Sequence, residues 1–178
     1  MEGQGFPVAG PSRQEKNAWT RESVDILKRA GVDFGKQKKE GIDIRRFANL
    51  FVQSPLFRSL RITWITFHGG YDVLYLLKMV GPGLQYDKRV FNEVVSHYFP
   101  IILDVKYLSA WVWGPEATRK GLQRIADILQ VPRIGKQHQA GSDSHLTGQV
   151  FFVILYTLLY GIVDIGLLGK VYPVWTAR

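Results

Sequence analysis

An α/β fold with a largely parallel sheet is predicted by three features of this chain. Two short runs, 62–67 and 100–103, are rich in β-branched, aromatic and aliphatic residues, as strands are. Segments with apolar residues at helical spacing stand between and after them. Each strand ends in a polar turn, His68-Gly69-Gly70 after the first and Asp104 after the second. Strands alternating with helices connect most readily as parallel neighbours.

Helices and turns fill the N-terminal part. Residues 1–19 are rich in Gly, Pro, Gln and Ser and read as a flexible arm. Thr20 or Ser23 is placed to cap a helix running to Arg29, with Val24, Leu27 and Ala30 toward one face and Gly31 ending it. Residues 36–40 read as a charged turn. Residues 42–52 predict a second helix, with Ile44, Phe47, Leu50 and Phe51 as its apolar stripe. That third of the chain contributes almost no strand, which is unusual for an α/β protein.

Beyond the first strand, 73–80 continues as a helix that Gly81-Pro82-Gly83 ends. Residues 90–98 are another helix before the second strand. Residues 111–115 read as a loop with two exposed tryptophans. Leu122, Ile125, Ala126 and Leu129 recur at helical spacing, so 120–130 is an amphipathic helix. A polar loop, 131–142, carries His138. The segment 150–163 then holds fourteen residues without a charge, and Asp164 is the only one up to Leu168. A run of that length is expected as a buried or partner-binding helix, and membrane insertion is its alternative.

Composition narrows the function. The chain has 178 residues, 46% hydrophobic and 21% charged, which suits one globular domain with a core of normal size. A net charge of +8 favours polyanions, RNA and DNA among them, and equally describes a solvated basic surface. The absence of cysteine excludes disulfides, zinc thiolates and a cysteine nucleophile.

The residues able to do chemistry lie in two turns. Phe67-His68-Gly69-Gly70-Tyr71-Asp72 follows the first strand, and His138-Gln139-Ala140-Gly141-Ser142-Asp143-Ser144 follows the polar loop. Carboxylates at the carboxyl ends of parallel strands suit an active site. Asp72 and Asp143 can bind Mg²⁺, which prefers oxygen ligands. His138, five residues before Asp143, can take a proton from an attacking water. Each also has a plain structural role: an Asp at a helix start caps amides, and a loop histidine is commonly a surface residue. Asp104 reads as a structural strand-end acid. Tyr71, Tyr75, Tyr107, Trp111 and Trp113 could stack bases or simply pack.

The series of motifs resembles the deadenylase catalytic subunits of the CCR–NOT complex, the CCR-associated-factor nucleases of the DEDD exonuclease superfamily. The matching pieces are Ser23-Val24-Asp25-Ile26-Leu27 with Gly31, Gly41-Ile42-Asp43 with Phe47-Ala48, and Trp64 through Asp72 with Tyr75-Leu76-Leu77-Lys78. Phe99-Pro100, Asp104-Val105-Lys106-Tyr107-Leu108, Gly121-Leu122-Gln123 and Arg133-Ile134-Gly135 follow, then His138 to Ser144, Leu146-Thr147 and Phe151-Phe152. The likeness covers residues 20–152, with an insertion near 111–117, and looks plant-type. Residues 153–178 form a divergent apolar C-terminal segment.

The resemblance implies a ribonuclease H-like fold and a 3′→5′ exoribonuclease that shortens poly(A) tails. It implies two divalent ions, Mg²⁺ or Mn²⁺, held by four acidic residues. Asp72 and Asp143 would be the third and fourth of these acids and His138 the general base. Implied partners are single-stranded poly(A) RNA, the CCR–NOT scaffold and its companion deadenylase subunit, with no membrane, in nucleus and cytoplasm. The family's first two acids lie in an Asp-x-Glu triplet on its first strand, and no such triplet occurs here. The expected fold is therefore incomplete, lacking the first strands and exposing a sheet edge. A catalytically silent interaction module of the same complex is the alternative.

Overall fold

Two short parallel strands organise the molecule. β1 (Trp64–Thr66) pairs with β2 (Ile102–Asp104) in the register Trp64↔Ile102, Ile65↔Leu103, Thr66↔Asp104. The computed structural model describes residues 20–81 and 90–172. The predicted N-terminal arm, 1–19, and Pro82-Gly83 lie outside the described residues, as do the last six of the C-terminal segment.

Side chains alternate across a strand, and here the alternation sorts the core into two layers. Ile102 joins Phe51, Val73, Leu77, Phe91, Val95, Phe99 and Val171 on one side. Leu103 joins Val105, Leu108, Ile125, Leu146, Val150, Phe151 and Ile154 on the other. Trp64 and Ile65 divide the same way, each packed against the layer its parity selects. Trp64 meets Phe99 edge-on at 5.4 Å between ring centroids.

Helices α3 (Ile44–Gln53), α4 (Gly70–Val80) and α5 (Phe91–Tyr98) supply the first layer. Helices α6 (Val105–Trp113), α7 (Leu122–Ile128) and α8 (Ala140–Val153) supply the second. Helix α1 (Arg21–Arg29) starts at Thr20, whose side chain accepts from the Ser23 N–H, so the predicted cap holds. Of the predicted α3 stripe only Phe51 is buried; Ile44, Phe47 and Leu50 stay exposed.

The structure corrects two local expectations. The charged stretch 36–40 is no turn but part of helix α2 (Phe34–Glu40), because Asp33 caps it by accepting from the Lys36 N–H at 2.9 Å. The tryptophan stretch is helical as far as Trp113, and only Gly114, with φ +83°, breaks it.

The uncharged segment from Val150 does not form one long helix. Helix α8 ends at Val153, a π turn covers Ile154–Leu158, and Gly161 at φ +81° turns the chain away. Val150, Phe151 and Ile154 are buried in the second layer. No helix among the described residues is long and apolar enough to cross a membrane. The chain then returns to the sheet, where Lys170 bridges Leu103 in parallel and the Gly169 N–H donates to Ile102 O at 3.0 Å.

Candidate active site at the strand ends

Asp104 builds the turn from which the site hangs. Its side chain is 1% exposed and accepts four backbone N–H bonds. Oδ1 receives His68 and Lys106, each at 2.9 Å, while Oδ2 receives Gly69 at 2.9 Å and Tyr172 at 3.0 Å. One carboxylate thus ties the end of β1, the start of α6 and the returning C-terminal segment together. Its expected structural role is what the structure shows.

The turn so fixed is tight. His68 adopts φ +59°, a left-handed conformation uncommon outside glycine. Gly69 is required for space: a Cβ there would stand 2.5–2.8 Å from the Thr66 side chain. Helix α4 starts directly after, and Asp72 falls in its first turn.

Asp72, His138 and Asp143 all line one cavity of about 750 Å³. Trp64, Thr66 and Phe67 of the β1 region form one wall, and Gln123, Arg133 and Gln137 another. The structure therefore brings together the three residues singled out in the sequence. His138 sits at φ +63° and, like His68, is held in left-handed backbone. Such strain persists where surroundings hold it, and it clusters at functional sites.

Burial pushes the Asp72 carboxyl above the usual carboxylate range, and the negative charge of Asp104 adds to the rise. A backbone hydrogen bond and His68 oppose it. Although Asp72 stands at the exposed lip of helix α4, its carboxyl faces the cleft, where water is partly excluded. Burial lowers His68, and the Lys106 ammonium lowers it further. That ammonium lies over the rings of Phe67 and Tyr172 at 5.6 and 5.1 Å.

Arg133 is the participant not singled out from the sequence for a role. Its Nη1 donates to Asp143 Oδ1 at 2.6 Å and to Ser142 Oγ at 3.0 Å, and its Nε to Gln123 Oε1 at 2.6 Å. The guanidinium side chain is only 11% exposed. An arginine in a polar loop carries no sequence signal of such a role; only the fold shows that it faces Asp143. Conversely, Tyr71, Tyr75, Trp111 and Trp113 are exposed but do not line the cavity, and Tyr107 packs on Tyr172 at 5.6 Å. The suggested base stacking thus finds no support at the cleft.

The donor set falls short of the pair of divalent ions that the resemblance implies. Asp143 already spends one oxygen on Arg133. Among the described residues no three His, Asp or Glu side chains gather closely enough to hold a metal ion. Thr66 Oγ1 is buried beside the cleft without a partner among the described residues, a single neutral donor. Two carboxylates and a hydroxyl do not fit two dications, which need several carboxylates close together.

No family model matches the chain. It is, however, 41% identical over 159 residues to poly(A) ribonuclease pop2 of Schizosaccharomyces pombe, covering 89% of this chain and 47% of that one. It is 38% identical over 138 residues to the Arabidopsis thaliana protein named probable CCR4-associated factor 1 homolog 7, covering 77% of this chain and 49% of that one. A solved structure of S. pombe Pop2p, a Mg²⁺- and Mn²⁺-bound form, matches at a TM-score of 0.80 and 40% identity. That match covers 88% of this chain and 62% of that one.

The chain belongs to the Pop2/CCR4-associated factor family.

It spans about half the length of the curated relatives it matches. The Pop2 likeness assigns the ribonuclease H-like fold expected above, and among the described residues that fold is represented by two strands. Ile65 lies between residues whose backbone bonds reach β2, so alternation turns its own N–H and C=O to the other edge of β1. No strand among the described residues pairs there.

Proposed function

We propose that this chain is a poly(A) ribonuclease component that degrades single-stranded poly(A) from its 3′ end. One observation carries this: Asp72, in the turn after β1, lines one cleft with His138 and Asp143, which come from a distant loop and the start of α8. The relatives' names, a poly(A) ribonuclease and a CCR4-associated factor, support the substrate and the CCR–NOT scaffold as partner. Nucleus and cytoplasm are the proposed compartments.

In this proposal His138 accepts the proton of the attacking water at a ring nitrogen, as general base. Asp72 and Asp143 face the scissile phosphate from two sides of the cleft. Arg133 keeps the Asp143 carboxylate in a fixed orientation and brings positive charge to the same wall. Mg²⁺ or Mn²⁺ is the proposed cofactor of the completed site, in which Asp72 and Asp143 would be ligands. The described residues do not supply the remaining acids, so no step is assigned to an ion here.

A non-catalytic interaction module of the same assembly is favoured by a separate observation. One oxygen of the Asp143 carboxylate is already engaged by Arg133, and no three-residue ligand group forms among the described residues.

One experiment separates the two. A 5′-labelled RNA ending in poly(A) is incubated with the chain and Mg²⁺ or Mn²⁺, with Asp143→Ala alongside. Stepwise shortening that Asp143→Ala abolishes supports the nuclease. No shortening at any metal concentration, with capture of the chain by the scaffold, supports the module.

A further inference from the structure

A second cavity, about 330 Å³, opens beside the cleft and is lined by Ile26, Arg29, Ala30, Lys136, Gln137 and His138. Gln137 and His138 line both cavities, so one loop borders the two. Its charged walls are both basic, and no carboxylate lines it. Arg29 bonds only a backbone oxygen, that of Asp25 at 3.3 Å, and neither Arg29 nor Lys136 forms an ion pair among the described residues.

The two cations come from elements remote in the chain. Arg29 ends α1, while Lys136 belongs to the loop before α8. What joins them is a bond from Gln139 Nε2 to Ala30 O at 2.7 Å, across 109 positions of sequence. Basic residues in a last helical turn complement the helix dipole, which accounts for Arg29. It does not account for Lys136 facing it from a loop. Ile26 and the buried Ala30 give the cavity an apolar floor. Two cations over an apolar floor suit a phosphodiester with its attached sugar or base.

We infer that this basic cavity is a second subsite for single-stranded RNA, holding the phosphodiester backbone 5′ of the nucleotide seated in the cleft. It deepens the proposed function and rests on it. The contacts are to phosphate, so they fix the path of the strand and not its sequence.

The test is salt-dependent binding of the full chain to 5′-labelled oligo(A), followed by fluorescence anisotropy without divalent metal, so that the RNA is not cut. Adenosine monophosphate, too short to occupy the cleft and the second cavity together, serves as a competitor. Each phosphate contact on a single strand contributes about 0.7 to the slope of log affinity against log salt. Arg29→Gln with Lys136→Gln should therefore lower the slope by about 1.4 and leave competition by the mononucleotide unchanged. Lys38→Gln with Lys39→Gln removes the same charge from α2, whose lysines line neither cavity, and should leave the slope as it is. An unchanged slope in the first pair, an equal drop in the control pair, or an equal loss for the mononucleotide overturns the subsite. If the parent binds neither oligo(A) nor the mononucleotide, the proposed function falls and the subsite with it.

Discussion

Asp104→Asn tests how the site is suspended. The substitution keeps size and shape but replaces one carboxylate oxygen by an amide nitrogen. Each oxygen of Asp104 receives two backbone N–H groups, His68 and Lys106 on Oδ1 and Gly69 and Tyr172 on Oδ2. Whichever way the amide turns, two N–H groups lose their acceptor and face another donor. An orphaned buried donor costs about 1–3 kcal/mol, so the direct loss is about 2–6 kcal/mol. The two surviving bonds also lose their charge assistance. We expect a destabilisation near 4 kcal/mol, a large part of the roughly 5–15 kcal/mol that holds a domain of this kind together. Urea unfolding followed by circular dichroism gives the number by linear extrapolation. A loss under about 1 kcal/mol would show that these bonds do not hold the turn, and the account of how Asp72 is positioned would fail with it.

Other perturbations probe the neighbouring parts. Gly69→Ala drives a Cβ to within 2.8 Å of the Thr66 side chain and should cost about 1–3 kcal/mol, read from the urea midpoint. Asp143→Ala leaves the mostly buried Arg133 without its anion and should destabilise more than Asp143→Asn, which keeps an acceptor oxygen; paired melting curves decide this. Asp72 has a raised carboxyl, so the folded state holds that proton more tightly than the unfolded chain. Its ionisation therefore works against stability as pH rises through the ordinary carboxylate range and beyond. Asp72→Asn should accordingly be more stable than the parent at neutral pH, with the gap closing as pH falls toward 4, seen in urea midpoints across that window. His68 has the opposite sign: its proton binds less tightly in the folded state, so His68→Gln should blunt the loss of stability on acidification below about 6.5.

Much of the fold was legible because periodicity and local chemistry decide it. Thr20 caps α1 through a bond three residues away, and the Trp64–Thr66 strand shows its β-branched character directly. The same local rules misled where a signal was ambiguous. Residues 36–40 are charged enough to pass for a turn, yet the cap that makes them helical, Asp33, precedes them. Residues 111–113 carry tryptophans that look like loop anchors, but the helix begun at Val105 runs through them. The uncharged stretch from Val150 looked long enough for more than a core helix, but Gly161 ends it as a backbone turn.

For the site, the division is between residue types and their mates. The sequence by itself pointed to the α/β class and the two Gly-containing turns, because these depend on neighbours within a few positions, and its motif series made Asp72, His138 and Asp143 the candidates. The tertiary structure alone decided that the three share one cleft, that Arg133 holds Asp143, and that Gln139 draws α1 against the loop that carries His138. It also decided that Asp104 serves the backbone rather than the cleft. Hydrogen bonds and ion pairs act over about three ångströms. Whether two groups come that close, when tens of residues separate them, depends on how the helices pack against both faces of the sheet.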